Sequence, residues 1–354
     1  YGACAGRSGH QMGTRTNEEL ERCRENVARF VGAKTENLVW TRNTTEGLNL
    51  IANGLDFSKK KKVVTTVMEH HSALLPFLRM KLEGRIELTV IKGKDGIISL
   101  EEWEGAIDRE TAIVVTNSMS NTTAIKQPVR EIAKIAHDNG ALICTDGAQG
   151  VPHQKTDFGR DGLDFLCFSG HKMLGSTGIG VLIGRKELLS KLKPTYVGGG
   201  TVKTVSLEKI NYAEDNNRLE AGIQNYAGVM GLSAAVEYLK RIGMDNVEKH
   251  EKEMASGMLR VLEESEALIY GRKEPSGRGA LYSFNFKDAK PHELAQMLDK
   301  HGIQVRSGFF CAQPAMENLG AKNGAVRASC YIYNTSEEIN KFEEVLGKLK
   351  KLYS

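Results

Sequence analysis

The chain has six cysteines, and what they fail to form is informative. They make no CxxC pair and no disulfide-dense framework, so each thiol is judged singly and a reducing, cytoplasmic setting is expected. No apolar run approaches the ~18 residues that a membrane helix requires, and no signal-peptide pattern opens the chain. Neither sign of charge dominates: 48 Lys and Arg against 44 Asp and Glu leave +4. The one basic run, Lys59-Lys60-Lys61-Lys62, has no interleaved aromatics and reads as a solvated turn before a strand, so nucleic acid is not an expected partner. GxxxxGK[ST] is absent, as is a GxGxxG opening a helix after a strand, which removes the common nucleotide-binding readings. Internal repeats, low-complexity stretches and long flexible linkers are missing too. Nor does the chain begin with methionine; starting at Tyr1, it is expected to be a processed, truncated or partly given product.

What remains is 354 residues, 40% hydrophobic and 26% charged, enough for a sizeable core in one large domain or two. Glycine is abundant and proline scarce, 37 against seven, as suits a fold with many strand-to-helix turns. Through the first two thirds, short apolar runs alternate with helical periodicity. Thr16 with Glu19 predicts a capping box at the head of a helix ending near Val31. Strands are predicted at Val63–Val67, Leu88–Ile91, Ala112–Thr116, Ala141–Thr145 and Leu163–Phe168, with helices from about Thr44, over Ser72–Glu83 and over Val129–Asn139. Continuous apolar strands between helices indicate a mostly parallel sheet. Beyond about residue 226 the pattern changes to helices over Ala227–Arg241, Asn246–Glu264 and His292–His301, strand-like stretches near Leu268 and over Leu281–Phe286, and a last helix capped by Thr335 and Glu338. The expected division is 1–240, a large α/β domain whose first ~15 residues form an arm, and 241–354, a smaller α+β domain.

In open α/β sheets, ligands sit at the carboxyl ends of strands. Four predicted strand ends each deliver polar groups: Glu69-His70-His71, Asn117 to Asn121, Asp146-Gly-Ala-Gln149 and Ser169-Gly-His171-Lys172. Any one of these would pass for an ordinary turn or cap; their joint appearance points to one ligand. Thr44 and Thr45 at a helix start, with Ser169 and His171, offer donors suited to a phosphate. A carboxylate emerging from an apolar strand, Asp146, requires a cation, and a protonated ring nitrogen would serve. Gln149 could donate to a ring oxygen, and the Lys172 amine could form a Schiff base with a carbonyl. Phosphate, ring nitrogen, ring oxygen and aldehyde together describe pyridoxal 5′-phosphate.

The segments Thr41-Arg-Asn-Thr-Thr-Glu-Gly, Glu69-His-His, Asp146-Gly-Ala-Gln, Ser169-Gly-His-Lys, Gly198-Gly-Gly, Glu220-Ala-Gly and Arg327-Ala-Ser-Cys-Tyr-Ile-Tyr-Asn-Thr resemble the class V aminotransferase family of fold-type I pyridoxal-phosphate enzymes, collinearly from Arg7 to Thr335. Within it, Arg306-Ser-Gly-Phe-Phe-Cys311-Ala-Gln-Pro resembles the SufS-like cysteine desulfurases. The resemblance implies that Lys172 holds the cofactor covalently, Asp146 pairs with its ring nitrogen, His70 stacks on the ring and assists proton transfer, and Gln149 bonds the ring oxygen. Thr44, Thr45, Ser169 and His171 would take the phosphate. Asn121, Arg327 and Arg7 would handle the substrate, with Arg327 as a carboxylate fork. Cys311 would take sulfur from L-cysteine, with L-selenocysteine (as the source of selenium) an alternative substrate, and pass it to an acceptor or scaffold protein, as in iron–sulfur cluster assembly. A homodimer is implied, and no metal site is assigned. The same residues leave room for a selenocysteine lyase, a C–S lyase or an aminotransferase, and for a non-enzymatic sulfur carrier that kept the fold. Three positions depart from the family's pattern: Ile223 stands for a common Thr, Phe309-Phe310 for a frequent His pair, and Gly6 for a His.

Overall fold

We describe the protein from a computed structural model covering residues 9–353, so Cys4, Gly6 and Arg7 lie outside the described residues. Helix α1 (Gln11–Phe30) buries Leu20, Cys23 and Val27, spaced three and four apart. It starts five residues before the expected capping box. His10 caps it by accepting from Gly13 N–H, while Thr16 sits in the interior and donates back to Met12 O at 2.9 Å. The polar opening turns carry no apolar period, which hides the true start from periodicity.

Strand β1 (Leu38–Thr41) leads into α2 (Thr44–Gly54), capped by Asn43. Four strand–helix units follow: β2 (Lys62–Thr66) with α3 (His71–Leu82), β3 (Glu87–Ile91) with α4 (Leu100–Ala106), β4 (Thr111–Asn117) with α5 (Val129–Asp138), and β5 (Leu142–Asp146) with the short α6 (Gly150–His153). Then come β6 (Phe165–Ser169), β7 (Gly180–Gly184), α7 (Lys186–Leu189) and a hairpin of β8 (Val202–Val205) and β9 (Ile210–Tyr212). Helices α8 (Tyr226–Ile242) and α9 (Met244–Glu264) break at Gly243 and precede β10 (Leu268–Tyr270), β11 (Leu281–Asn285), α10 (Pro291–Lys300), β12 (Arg306–Gly308), α11 (Gln313–Asn318), β13 (Ala325–Ser329) and α12 (Ser336–Lys350). The Thr335–Glu338 capping box at α12 forms as expected.

The large sheet has seven strands in the order β1-β7-β6-β5-β4-β2-β3, and β7 alone runs against the others. Successive residues of its strands face opposite sides. Val64, Val114, Ile143 and Leu166 join one apolar cluster with α1, α5 and α8, whereas Val63, Ile113, Cys144 and Phe165 join another with α2 and α3. Burial on both faces explains the uninterrupted apolar runs. Cys144 and Cys167 are fully buried in this core. The smaller sheet, β10-β11-β13-β12, is antiparallel and packs against α9, α10 and α12. Thus an α/β body with a mainly parallel sheet carries a smaller α+β unit toward its C-terminus, as the sequence pattern anticipates. Strands β1 and β7 and the β8–β9 hairpin escape that pattern, since they are short or bracketed by glycine.

The order β6-β5-β4-β2 places the four polar strand ends side by side along one edge of the sheet. β1 runs in the same direction, so the start of α2 opens on that edge as well. Gly180 permits this approach: a Cβ there would lie 2.6 Å from Asn43 Cα. A buried ion pair secures β1 to α1. Arg24 donates through Nη1 and Nη2 to Glu220 at 2.7 and 2.9 Å, and Glu220 Oε1 also accepts from Trp40 N–H at 2.7 Å. Glu220→Ala strands a buried guanidinium and a backbone donor together, so urea titration is expected to show a stability loss of about 3–5 kcal/mol. A loss no larger than the ~1 kcal/mol of a surface pair would contradict that role.

Candidate active site

The strand-end edge encloses a cavity of about 310 Å³. From the β1–α2 turn come Thr44 and Thr45, and His70 lies at the head of α3. Asn121 follows β4, Asp146 and Gln149 follow β5, and Ser169, His171 and Lys172 follow β6. The smaller sheet contributes Arg327. Cys311 is exposed beside this cavity, its Sγ 3.8 Å from Arg306 Nη2. Of the expected residues only Arg7 lies outside the described region.

Hydroxyls link the helix starts. Thr44 N–H donates to Ser169 Oγ at 2.9 Å, and the two hydroxyls are 2.6 Å apart. Thr45 Oγ1 is 2.7 Å from Ser72 Oγ, which is 2.9 Å from His70 Nδ1. Because Nδ1 also accepts from Ser72 N–H at 3.0 Å, the network assigns the proton to Nε2. Burial, reinforced by the nearby Lys172 charge, holds His70 down to about 4, so it is neutral at pH 7.

Deeper in, Asp146 is only 4% exposed and takes a hydrogen bond from Ala148 N–H at 2.9 Å. Burial pushes its carboxyl above the ordinary range, while Lys172 pulls the other way. For Lys172 burial is again the largest influence and moves the amine toward neutrality; Asp146 opposes that shift, and Arg327 and Arg306 assist it. A buried carboxylate and a buried amine lining one cavity are suited to a ligand with a cationic ring and a carbonyl.

At the mouth, Arg306 and Arg327 stand directly opposite in the β12–β13 ladder. Burial, with Arg306 beside it, lowers Arg327 to about 10, well above neutral pH, so it remains cationic. Arg327 Nη1 donates to Asn121 O at 2.7 Å, and its buried Nε has no partner among the described residues. The guanidinium, which lines the cavity, is a planar fork of the kind able to grip a carboxylate. The cysteine loop docks on α3, with His71 N–H donating to Cys311 O at 2.7 Å and Gln313 N–H to His71 Nε2 at 3.4 Å. Sequence reasoning missed Ser72, Arg306 and Phe310 as cavity residues. Ser72 had a signal, directly after Glu69-His70-His71, but Arg306 joins only through pairing with β13.

The class V aminotransferase profile matches residues 1–342. The chain belongs to the class V aminotransferase family. A probable cysteine desulfurase of Halalkalibacterium halodurans is 40% identical over all of this chain and 87% of that relative. An apo cysteine desulfurase structure from Thermococcus onnurineus superposes with TM-score 0.95 at 39% identity, covering 99% of this chain and 88% of that one. A cysteine desulfurase from Escherichia coli, in an S-sulfonic acid form, gives 0.88 at 29% identity with the same coverages. No helix among the described residues of this class V family member is long and apolar enough to cross a membrane.

One buried acid in the class V site sets a pH dependence. Glu69 is fully buried; its Oε1 accepts from Thr66 Oγ1 and Asn117 Nδ2, and its Oε2 has no partner. Burial pushes its carboxyl from 4.5 up to about 8, against those hydrogen bonds. A raised acid contributes its stability fully below 4.5, and that contribution falls as pH climbs through about 8, because the unfolded chain ionises first. Glu69→Gln, neutral throughout, is expected to lose less stability than wild type between pH 5 and pH 8 in denaturant titrations. Equal losses would mean that Glu69 ionises normally in the fold.

Proposed function

We propose that the chain is a pyridoxal 5′-phosphate-dependent cysteine desulfurase, converting L-cysteine and an enzyme thiol into L-alanine and an enzyme persulfide. The observation that carries this reading is the exposed Cys311, on a loop tied to the same cavity that holds Lys172 and Asp146. Relatives named as cysteine desulfurases, alike over the whole chain, support it.

The donor set fits the cofactor. Asp146, a buried carboxylate with a hydrogen bond from Ala148, would meet a ring nitrogen; Lys172 would hold the aldehyde carbon; Gln149 would reach the ring oxygen and His70 the ring face. Thr44, Thr45, Ser169 and His171 would take the phosphate. When bound, the group supplies an electron-withdrawing ring that would stabilise negative charge at the substrate's Cα. Arg327 and Asn121 would orient the substrate carboxylate. The Lys172 amine would carry the proton at Cα. Cys311 Sγ, acting as a thiolate beside Arg306, would attack the substrate sulfur. The substrate Cβ–Sγ bond breaks, its electron pair stays with the carbon fragment, and a proton completes alanine.

The wider reading includes a homodimer, for which exposed Val205, Leu207 and Ile210 on the β8–β9 hairpin and Ile223, 54% exposed, offer apolar surface. A division near residue 240 is part of it, supported by α8 packing on α1 and α9 on α12 either side of Gly243. The persulfide would pass to an acceptor or scaffold protein, in the reducing cytoplasm that unpaired thiols favour.

Borohydride reduction of the yellow holoenzyme is expected to fix the cofactor on Lys172, located by peptide mass spectrometry. With L-cysteine, Cys311→Ala should form alanine at least about 100-fold more slowly, the scale set by losing a positioned catalytic group. A wild-type rate in that variant would favour a lyase, and comparing L-selenocysteine in parallel would show which substrate depends on the thiol.

A further inference from the structure

The cysteine loop does more than present Cys311. Phe310 is a bulky residue at φ 55°, and Cys311 repeats that left-handed conformation, also at φ 55°. Two such residues in succession are costly, and such backbone persists only where surrounding contacts over-determine it. Phe310 is 3% exposed. One side of its ring packs in a small cluster with Tyr270, Met316 and Ala325. The Arg327 guanidinium carbon lies 5.0 Å from the ring centroid. The Phe310 carbonyl accepts from Asn121 Nδ2 at 2.8 Å, and Arg327 Nη1 donates to Asn121 O at 2.7 Å. Phe310, Asn121 and Arg327 therefore close a triangle, in which residue 310 touches both proposed carboxylate-binding side chains.

We infer that Phe310 is a positioning residue for substrate recognition: its ring bears on the Arg327 guanidinium and holds it in the orientation that receives the substrate carboxylate. This rests on the reading of Arg327 as the carboxylate fork. With Nη1 spent on Asn121 O, rotation of the guanidinium is restrained by that hydrogen bond and by whatever it rests on, and on the loop side that is the Phe310 ring. A leucine there keeps apolar bulk but has no quadrupole to attract the cation. Because Phe310 adjoins Cys311, the segment that presents the nucleophile also shapes the carboxylate site.

A purely space-filling Phe310 and a positioning Phe310 differ in ligand selectivity. L-alanine and ethylamine both offer an amine, but only alanine has a carboxylate, so the ratio of their dissociation constants isolates that contact. Binding would be followed by the absorbance of the bound cofactor in folded holoenzyme. Phe310→Leu and, as a second variant closer in length, Phe310→Met are expected to weaken L-alanine by about 3- to 30-fold, the range spanned by cation–π contacts, and to leave ethylamine within about twofold. Phe309→Leu, the neighbouring change, should alter neither. Arg327→Lys should abolish most of the preference for alanine. If Arg327→Lys removes the preference while both Phe310 variants retain it, or lose affinity for both ligands alike, the inference about Phe310 is wrong. If Arg327→Lys leaves the preference intact, the carboxylate fork itself is misassigned and the inference falls with it.

Discussion

A carboxylate and an amine share one cavity: Asp146 at the end of β5 and Lys172 just past the end of β6. Burial disfavours the charged form of each, and each favours the charged form of the other. Neither would be tolerated alone in such surroundings, because an unpaired buried charge costs far more than a surface one. Their opposition fixes where a charged ligand ring can lie. The hydroxyls of Thr44, Thr45 and Ser169, the neutral His70, and the Arg306–Arg327 pair are arranged around it.

The parallel order of the sheet makes that opposition possible. β5 and β6 are adjacent and point the same way, so their carboxyl ends cannot avoid each other. β4 and β2 continue the row and bring Asn121 and His70 to the same edge. Small residues at the turns let helices start close to the sheet, and Gly180 against Asn43 is one contact where any side chain would intrude. The smaller sheet closes the open side. Its β12–β13 ladder pairs two arginines directly across from each other, an arrangement in which like charges repel and which is therefore suited to an anion. Evidence of stored cost gathers here too, in the unpartnered Arg327 Nε and the left-handed Phe310 and Cys311. Functional sites commonly retain such strain when the rest of the fold is stable enough to hold it.

Much of this was legible from the sequence because both-face burial leaves a plain signature. The runs around Val63, Ile113, Ile143 and Leu166 place apolar residues on both faces of their strands, and the polar residues that end them stand out. Other features had no local signature. Helix α1 begins in a polar stretch capped by a histidine, and β7 is a strand bracketed by glycines. Arg306 is an exposed arginine in a short strand until its pairing with Arg327 is known. Phe310 read as a departure in a loop, and nothing in its neighbours in sequence places its ring against Arg327.

The sequence by itself determined the alternation of strands and helices, the chemistry offered at each strand end, and membership of a class V aminotransferase pattern. Those properties are local: a run of apolar residues or a turn residue acts on its own backbone. The tertiary structure alone decided which strand ends are neighbours, which nitrogen of Arg327 is left free, and that the Cys311 loop rests on α3, Asn121 and Arg327. Such relations join residues as far apart as Asn121 and Phe310, or His71 and Gln313, and they exist only once both sheets have packed.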